Sequence, residues 1–151
     1  HLSLRRQRQM CIRDSNKMSY QSHYFQEVRK AQQRAYVPYS HFKVGAYLKT
    51  KDGRHFYGAN VENAAYPATI CAERSSLVAA ISEGYRPGDF ESITVTVDAE
   101  HPSSPCGTCR QVLKELCDDD MPVYMTNHKG EMIQSTVAEL LPYGFSGKDL
   151  E

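Results

Sequence analysis

Cys71 and the Cys106-Gly-Thr-Cys109 pair limit what this chain can fold into more than any other feature. Two thiols three residues apart at the start of a helix project from one face toward one point. Cys71 stands at the start of the preceding helix, so two helix N-termini must converge across a strand if the three sulfurs are to meet. Positive helix ends at that point would stabilise thiolates. Five cysteines is an odd number, and this grouping reads as metal ligation rather than a disulfide framework, which suits a reducing compartment.

The surrounding pattern supplies those helices and strands. Phe25, Val28, Ala31 and Ala35 recur at helical spacing, predicting a helix over about 22–36 that is capped from Ser19 or Ser22 and ended by Pro38. From Phe42, the side chains Val44, Ala46 and Leu48 alternate with polar or small ones, and Lys51-Asp52-Gly53 turns the chain into a second run through Tyr57. Thr69 is expected to cap a helix over 70–83, closed by Gly84, with Ile70, Leu77, Val78 and Ile81 facing the core. Ile93–Val97 reads as a buried strand, and Pro105 suits the first turn of a helix to Cys117. Strands over 122–126 and 132–135 flank an Asn127–Gly130 turn, and 137–141 forms a last short helix. The order αββαβαββα predicts an α/β fold, a three-layer αβα arrangement around a mixed sheet of about five strands.

Three cysteine ligands leave a tetrahedral zinc one open position for water, the mark of a catalytic site. Water bound there is acidified toward neutrality. Glu73, two residues after Cys71, is close enough to take that water's proton and later deliver it to a substrate nitrogen or leaving amine. Three thiolates on a divalent ion carry a net negative charge, and Arg74 and Arg110 are the candidates to offset it. The bland alternatives are a closed structural zinc site completed by Cys117 or His101, and a thioredoxin-like redox pair. Cys117 lies about two turns down the same helix, too far to join, and a redox pair has no use for the third cysteine and its companion acid. Cys117 is read as a core residue, Cys11 as a free thiol, and the histidines as without a role.

Cys71-Ala-Glu73-Arg with Pro105-Cys-Gly-Thr-Cys-Arg-Gln111 resembles the signature of the cytidine deaminases of the tetrameric, three-cysteine type. Phe42-Lys-Val-Gly-Ala46, Gly58-Ala-Asn-Val-Glu-Asn63, Ile70-Cys-Ala-Glu-Arg74 and Leu140-Leu-Pro-Tyr-Gly-Phe145 extend the resemblance over about residues 20–146. It implies hydrolytic deamination of cytidine and deoxycytidine in pyrimidine salvage, with one zinc per subunit and Glu73 as proton carrier. It implies that Phe42 packs on the pyrimidine, that Asn60 and Glu62 bind the sugar 3′-hydroxyl, and that Ala72 also touches substrate. Ala64 and Tyr66 would meet the 5′-hydroxyl from other protomers, and Phe145 would reach over a neighbour's base, so the active sites of a homotetramer would be shared. The alternatives are a zinc deaminase of another aminopyrimidine, of the blasticidin S kind, a polynucleotide editor, and a zinc-stabilised binding module without catalysis. The His101-Pro-Ser segment lies outside the motif positions and is expected to affect packing or regulation at most.

Composition narrows the partners. The 151 residues carry eighteen basic and eighteen acidic side chains, which disfavours a polyanion partner such as nucleic acid. Eight of the basic residues fall within 1–34, where only two acids stand, so the remainder is slightly acidic. Residues 1–19 are expected to be a basic, disordered tail, and 20–151 the deaminase domain. The chain opens on His1 while Met10 and Met18 offer starts, so part of that tail is read as an extension ahead of the native start, with an Arg-rich transit segment as the alternative. No apolar run is long enough for a membrane span, and a cytoplasmic protein is expected.

Overall fold

The computed structural model describes residues 21–151. The expected tail, the helix caps at Ser19, and Cys11 lie outside the described residues. The elements in chain order are helix α1 over 21–32, β1 (Val44–Thr50), β2 (His55–Ala59), α2 (Ala72–Ser82), β3 (Phe90–Val97), α3 (Gly107–Leu116), β4 (Pro122–Asn127), β5 (Met132–Thr136) and α4 (Val137–Leu140). Short 3-10 turns cover Tyr66–Ala68 and Gly147–Leu150.

The five strands form one mixed sheet in the order β2-β1-β3-β4-β5. β1 pairs antiparallel with both β2 and β3, β3 with β4 is parallel, and β4 with β5 is antiparallel. Alternation divides β1 between the two faces. Ala46 and Leu48 enter a core built with Leu77 of α2, Leu113 of α3 and Val137 of α4, while Tyr47 joins Tyr24 and Val28 of α1 and Tyr124 of β4 on the other side. Helices on both faces of the sheet make the expected three layers. No helix among the described residues is long and apolar enough to cross a membrane.

This topology decides where the site lies. Because β1 runs antiparallel to both neighbours, β2 and β3 point the same way. α2 follows β2 and α3 follows β3, so both helices begin at the same edge of the sheet, outside the carboxyl ends of those strands. Ligands of open α/β sheets sit at such edges.

Two glycines set how closely the helices lie on the sheet. A Cβ on Gly45 would stand 2.6 Å from the backbone nitrogen of Gln32 and 2.7 Å from the carbonyl of Val28 on α1. One on Gly58 would meet the carbonyl of Ala72 and lie 2.7 Å from the backbone nitrogen of Ser76. Only glycine permits backbone to approach backbone in this way.

Local boundaries depart from the sequence expectation where tertiary pairing wins. α1 ends at 32 rather than 36 because Tyr36 is drawn into strand-like pairing, donating to Asn60 O at 2.9 Å and accepting from Glu62 N at 2.9 Å. Thr69 does not cap α2. Its N–H closes the 3-10 turn on Tyr66 O, Ile70 pairs with Val61, and the helix starts after Cys71. α3 likewise starts after Cys106 rather than at Pro105. Ile70 and Val78, expected in the core, are exposed. The close approach of α2 to Gly58 turns Ala72, Ser76 and Ala80 inward with Glu73 and Leu77, which sends Val78 to the opposite side of the helix.

Candidate active site

Cys71 and Cys106 occupy equivalent positions, each the last extended residue before its helix, and neither makes a side-chain capping bond. Cys109 projects from the first turn of α3 and is wholly buried. The three sulfurs lie within 4.8 Å of one another, and Cys71 Sγ is 3.8 Å from Cys106 Sγ. A tetrahedral zinc with bonds of about 2.3 Å separates its sulfur ligands by about 3.8 Å. The donor set and its spacing therefore fit zinc. Cys117 lies in the core cluster at the far end of α3, away from this group.

Glu73 is on the first turn of α2, only 4% exposed, with Oε2 3.6 Å from Cys109 Sγ. Burial pushes its carboxyl above the usual carboxylate range, with the charge at Cys71 adding to the effect. A carboxyl raised in this way can hold a proton as well as give one up, which a proton carrier requires. The Cys109 thiol donates toward Cys71 and, against the cost of burial and with help from Arg74, brings the Cys71 thiol down to about 5. Its own interaction with Cys71, together with burial, raises Cys109.

The two arginines expected beside the sulfurs have different surroundings. Arg74 Nη2 lies 3.5 Å from Cys71 Sγ and 3.4 Å from Thr69 O. Arg110 donates from Nε to Pro105 O at 2.7 Å, from Nη1 to Leu140 O at 2.8 Å and from Nη2 to Ser104 Oγ at 2.5 Å, and none of these partners is a sulfur.

A cavity of about 210 Å³ opens beside Cys71 and Cys106. Phe42, Asn60, Cys71, Ala72, Glu73 and Cys106 all line it. Its size suits a single heteroaromatic ring, below the roughly 300–1,000 Å³ of pockets that enclose drug-sized ligands. His41, in a left-handed conformation with φ 60, turns the chain just before Phe42. Asn60 braces that strand, accepting from Val44 N at 2.9 Å and donating to Phe42 O at 2.8 Å. Glu62 accepts the N–H groups of Tyr39 and Ser40, each at 3.1 Å, and bonding to Ser40 and Tyr39 holds its carboxyl below the usual range.

Glu62, Ala64, Tyr66 and Phe145 are not part of this lining; Tyr66 is 76% and Phe145 55% exposed. Conversely, Val44, Thr69, Val95, Val97, Ser103 and Ser104 line the cavity without having been singled out from the sequence. Ser103 belongs to the segment expected to affect packing or regulation at most, and it forms part of the cavity wall. Val44, Val95 and Val97 stand on strands beneath the cavity, where alternation alone marks them as ordinary core.

Comparison with known proteins places this geometry. The family described as "Cytidine and deoxycytidylate deaminase zinc-binding region" matches residues 18–125. A cytidine deaminase of Sporosarcina psychrophila is 52% identical over 124 residues, 82% of this chain and 90% of that protein. One of Halalkalibacterium halodurans is 50% identical over 124 residues, covering 82% and 92%. The crystal structure of cytidine deaminase from Burkholderia pseudomallei superposes with a TM-score of 0.81 at 44% identity, covering 82% of this chain and 98% of that one. The match spans both helix starts and the strand between them, with all three cysteines and Glu73 inside it, and on that ground this chain belongs to the cytidine and deoxycytidylate deaminase family.

Proposed function

We propose that this protein deaminates free cytidine and deoxycytidine hydrolytically, releasing ammonia, with Cys71, Cys106 and Cys109 as zinc ligands and Glu73 as the proton carrier. The observation that carries this reading is the buried Glu73 carboxyl set against Cys109 at the floor of a ring-sized cavity. Zinc held by the three sulfurs would acidify a water and so supply a nucleophile at neutral pH.

The chain's own groups do the rest. Glu73 Oε2 accepts one proton of the water and passes it to the ring nitrogen beside the reacting carbon, then takes the second from the hydroxyl formed on that carbon and delivers it to the departing amine, so that ammonia leaves as the carbonyl forms. Ala72 and Phe42 hold the ring, Phe42 against its face. Asn60, in the cavity wall, and Glu62, two residues further along, would bind the sugar 3′-hydroxyl, with Glu62 kept ionised by its N–H donors. Arg74 beside Cys71 offsets thiolate charge. Among the described residues no basic side chain lines the cavity, which favours a nucleoside over its 5′-phosphate.

Exposed Ile70, Val78, Tyr66 and Phe145 support a homotetramer in which Ala64, Tyr66 and Phe145 serve neighbouring pockets. One zinc per subunit, a cytoplasmic location and a role in pyrimidine salvage complete the reading. About 50% identity to curated cytidine deaminases weighs against the antibiotic-deaminase and inactive-module alternatives.

The test follows the absorbance of cytidine and of deoxycytidine with wild type and Glu73→Gln, zinc content being measured on both. Wild type should turn over both, and the variant should keep zinc while losing about 10²–10⁴-fold in rate. Zinc-loaded wild type that leaves both nucleosides untouched would overturn the proposal.

A further inference from the structure

The three sulfurs are not held equally well. Cys109 is locked in the core, and Cys71 has Arg74 against its sulfur. Cys106 is exposed, caps its helix without a side-chain bond, and follows an irregular loop through Ser103 and Ser104. Its sulfur can stay in place only if its two flanking peptide groups do.

Arg110 takes hold of both. Its backbone N–H donates to Cys106 O at 3.0 Å, and its side chain folds back toward the helix start so that Nε donates to Pro105 O at 2.7 Å. Nη2 secures Ser104 Oγ at 2.5 Å. The remaining nitrogen, Nη1, fastens this assembly to Leu140 O at 2.8 Å, the last residue of α4. That carbonyl sits at a helix end, where a cation is favoured.

We infer that Arg110 is a positioning residue which braces the Ser104–Cys106 loop against α4 and so fixes the Cys106 sulfur, rather than one that offsets thiolate charge. The inference rests on the three-cysteine zinc reading above. Three anchors in three directions need a planar guanidinium; a lysine ammonium keeps the charge but cannot reproduce the fork.

That difference supplies the test, made on zinc-loaded full-length protein with Arg110→Lys and Arg110→Gln. Two readouts need no substrate: the rate of zinc transfer to a chromophoric chelator, and the thiolate-to-metal absorption after replacement of zinc by cobalt(II). Both variants should lose zinc about 10–100-fold faster than wild type, as expected when a group orienting a ligand is removed. Arg110→Lys should be no better than Arg110→Gln, and both should show weaker thiolate-to-cobalt absorption. Wild-type behaviour of Arg110→Lys with a defective Arg110→Gln would show that charge alone matters and overturn the inference, as would wild-type rates in both. Ser104→Ala removes one anchor and serves if the Arg110 variants do not fold: faster release supports the brace, an unchanged rate overturns it. Because no turnover is measured, failure here leaves the proposed activity standing, and an inactive wild type leaves this test standing.

Discussion

Gly58→Ala should damage the active site from outside it. The added Cβ would lie 2.7 Å from Ser76 N and closer still to Ala72 O, where ordinary contact begins at 3.4 Å. Both are backbone atoms of α2, so no side chain can rotate out of the way. The helix must lift from β2 by at least about 0.7 Å, and Cys71 and Glu73 at its start move with it. Overpacking of this kind costs about 1–3 kcal/mol of stability. A displacement approaching 1 Å in catalytic geometry can cost about 10²-fold in rate, equivalent to about 2.7 kcal/mol in the barrier. The assay combines urea unfolding at fixed free zinc with cytidine turnover at equal zinc occupancy. Gly107→Ala is the stability control, because a Cβ there meets nothing within 4 Å among the described residues. It should be neutral or slightly stabilising. A Gly58→Ala protein with unchanged unfolding midpoint and turnover within twofold of wild type would refute the reasoning, since α2 would then not be seated by that contact.

Two further outcomes test other parts of the reading. Bonding to Ser40 and Tyr39 depresses the folded-state value of Glu62, so its stabilising contribution is complete above the ordinary carboxylate value of about 4.3 and is lost as pH falls through the depressed one. The stability gap between wild type and Glu62→Gln should therefore be constant from pH 8 to about 5 and close below about pH 4; a gap that ignores pH in acid unfolding experiments would contradict it. If Tyr66 and Phe145 complete neighbouring pockets, specific activity should fall on dilution in step with dissociation seen by light scattering, whereas a fully active monomer would eliminate the shared site.

The candidate site is built from short local segments and is therefore legible in the sequence. Ligand type, the spacing of Cys106 and Cys109, and Glu73 two residues after Cys71 are properties of short segments that a helix start presents in only one way. The α/β class followed equally from the alternation of β1 and the β-branched run of β3, because period reports which side is buried. Tertiary structure alone decided what depends on elements distant in sequence. The antiparallel placement of β1 between β2 and β3 brings the two helix starts to one edge. Gly58 rotates α2 so that alanines and a serine are buried and Val78 is left outside, a choice hydrophobicity cannot reveal because close backbone approach selects size over apolarity. Arg74 and Arg110 look alike as charges following a cysteine, yet one faces sulfur and the other three oxygens. Their difference arises from Leu140, thirty residues beyond Arg110, and a contact across that separation exists only once the chain has folded.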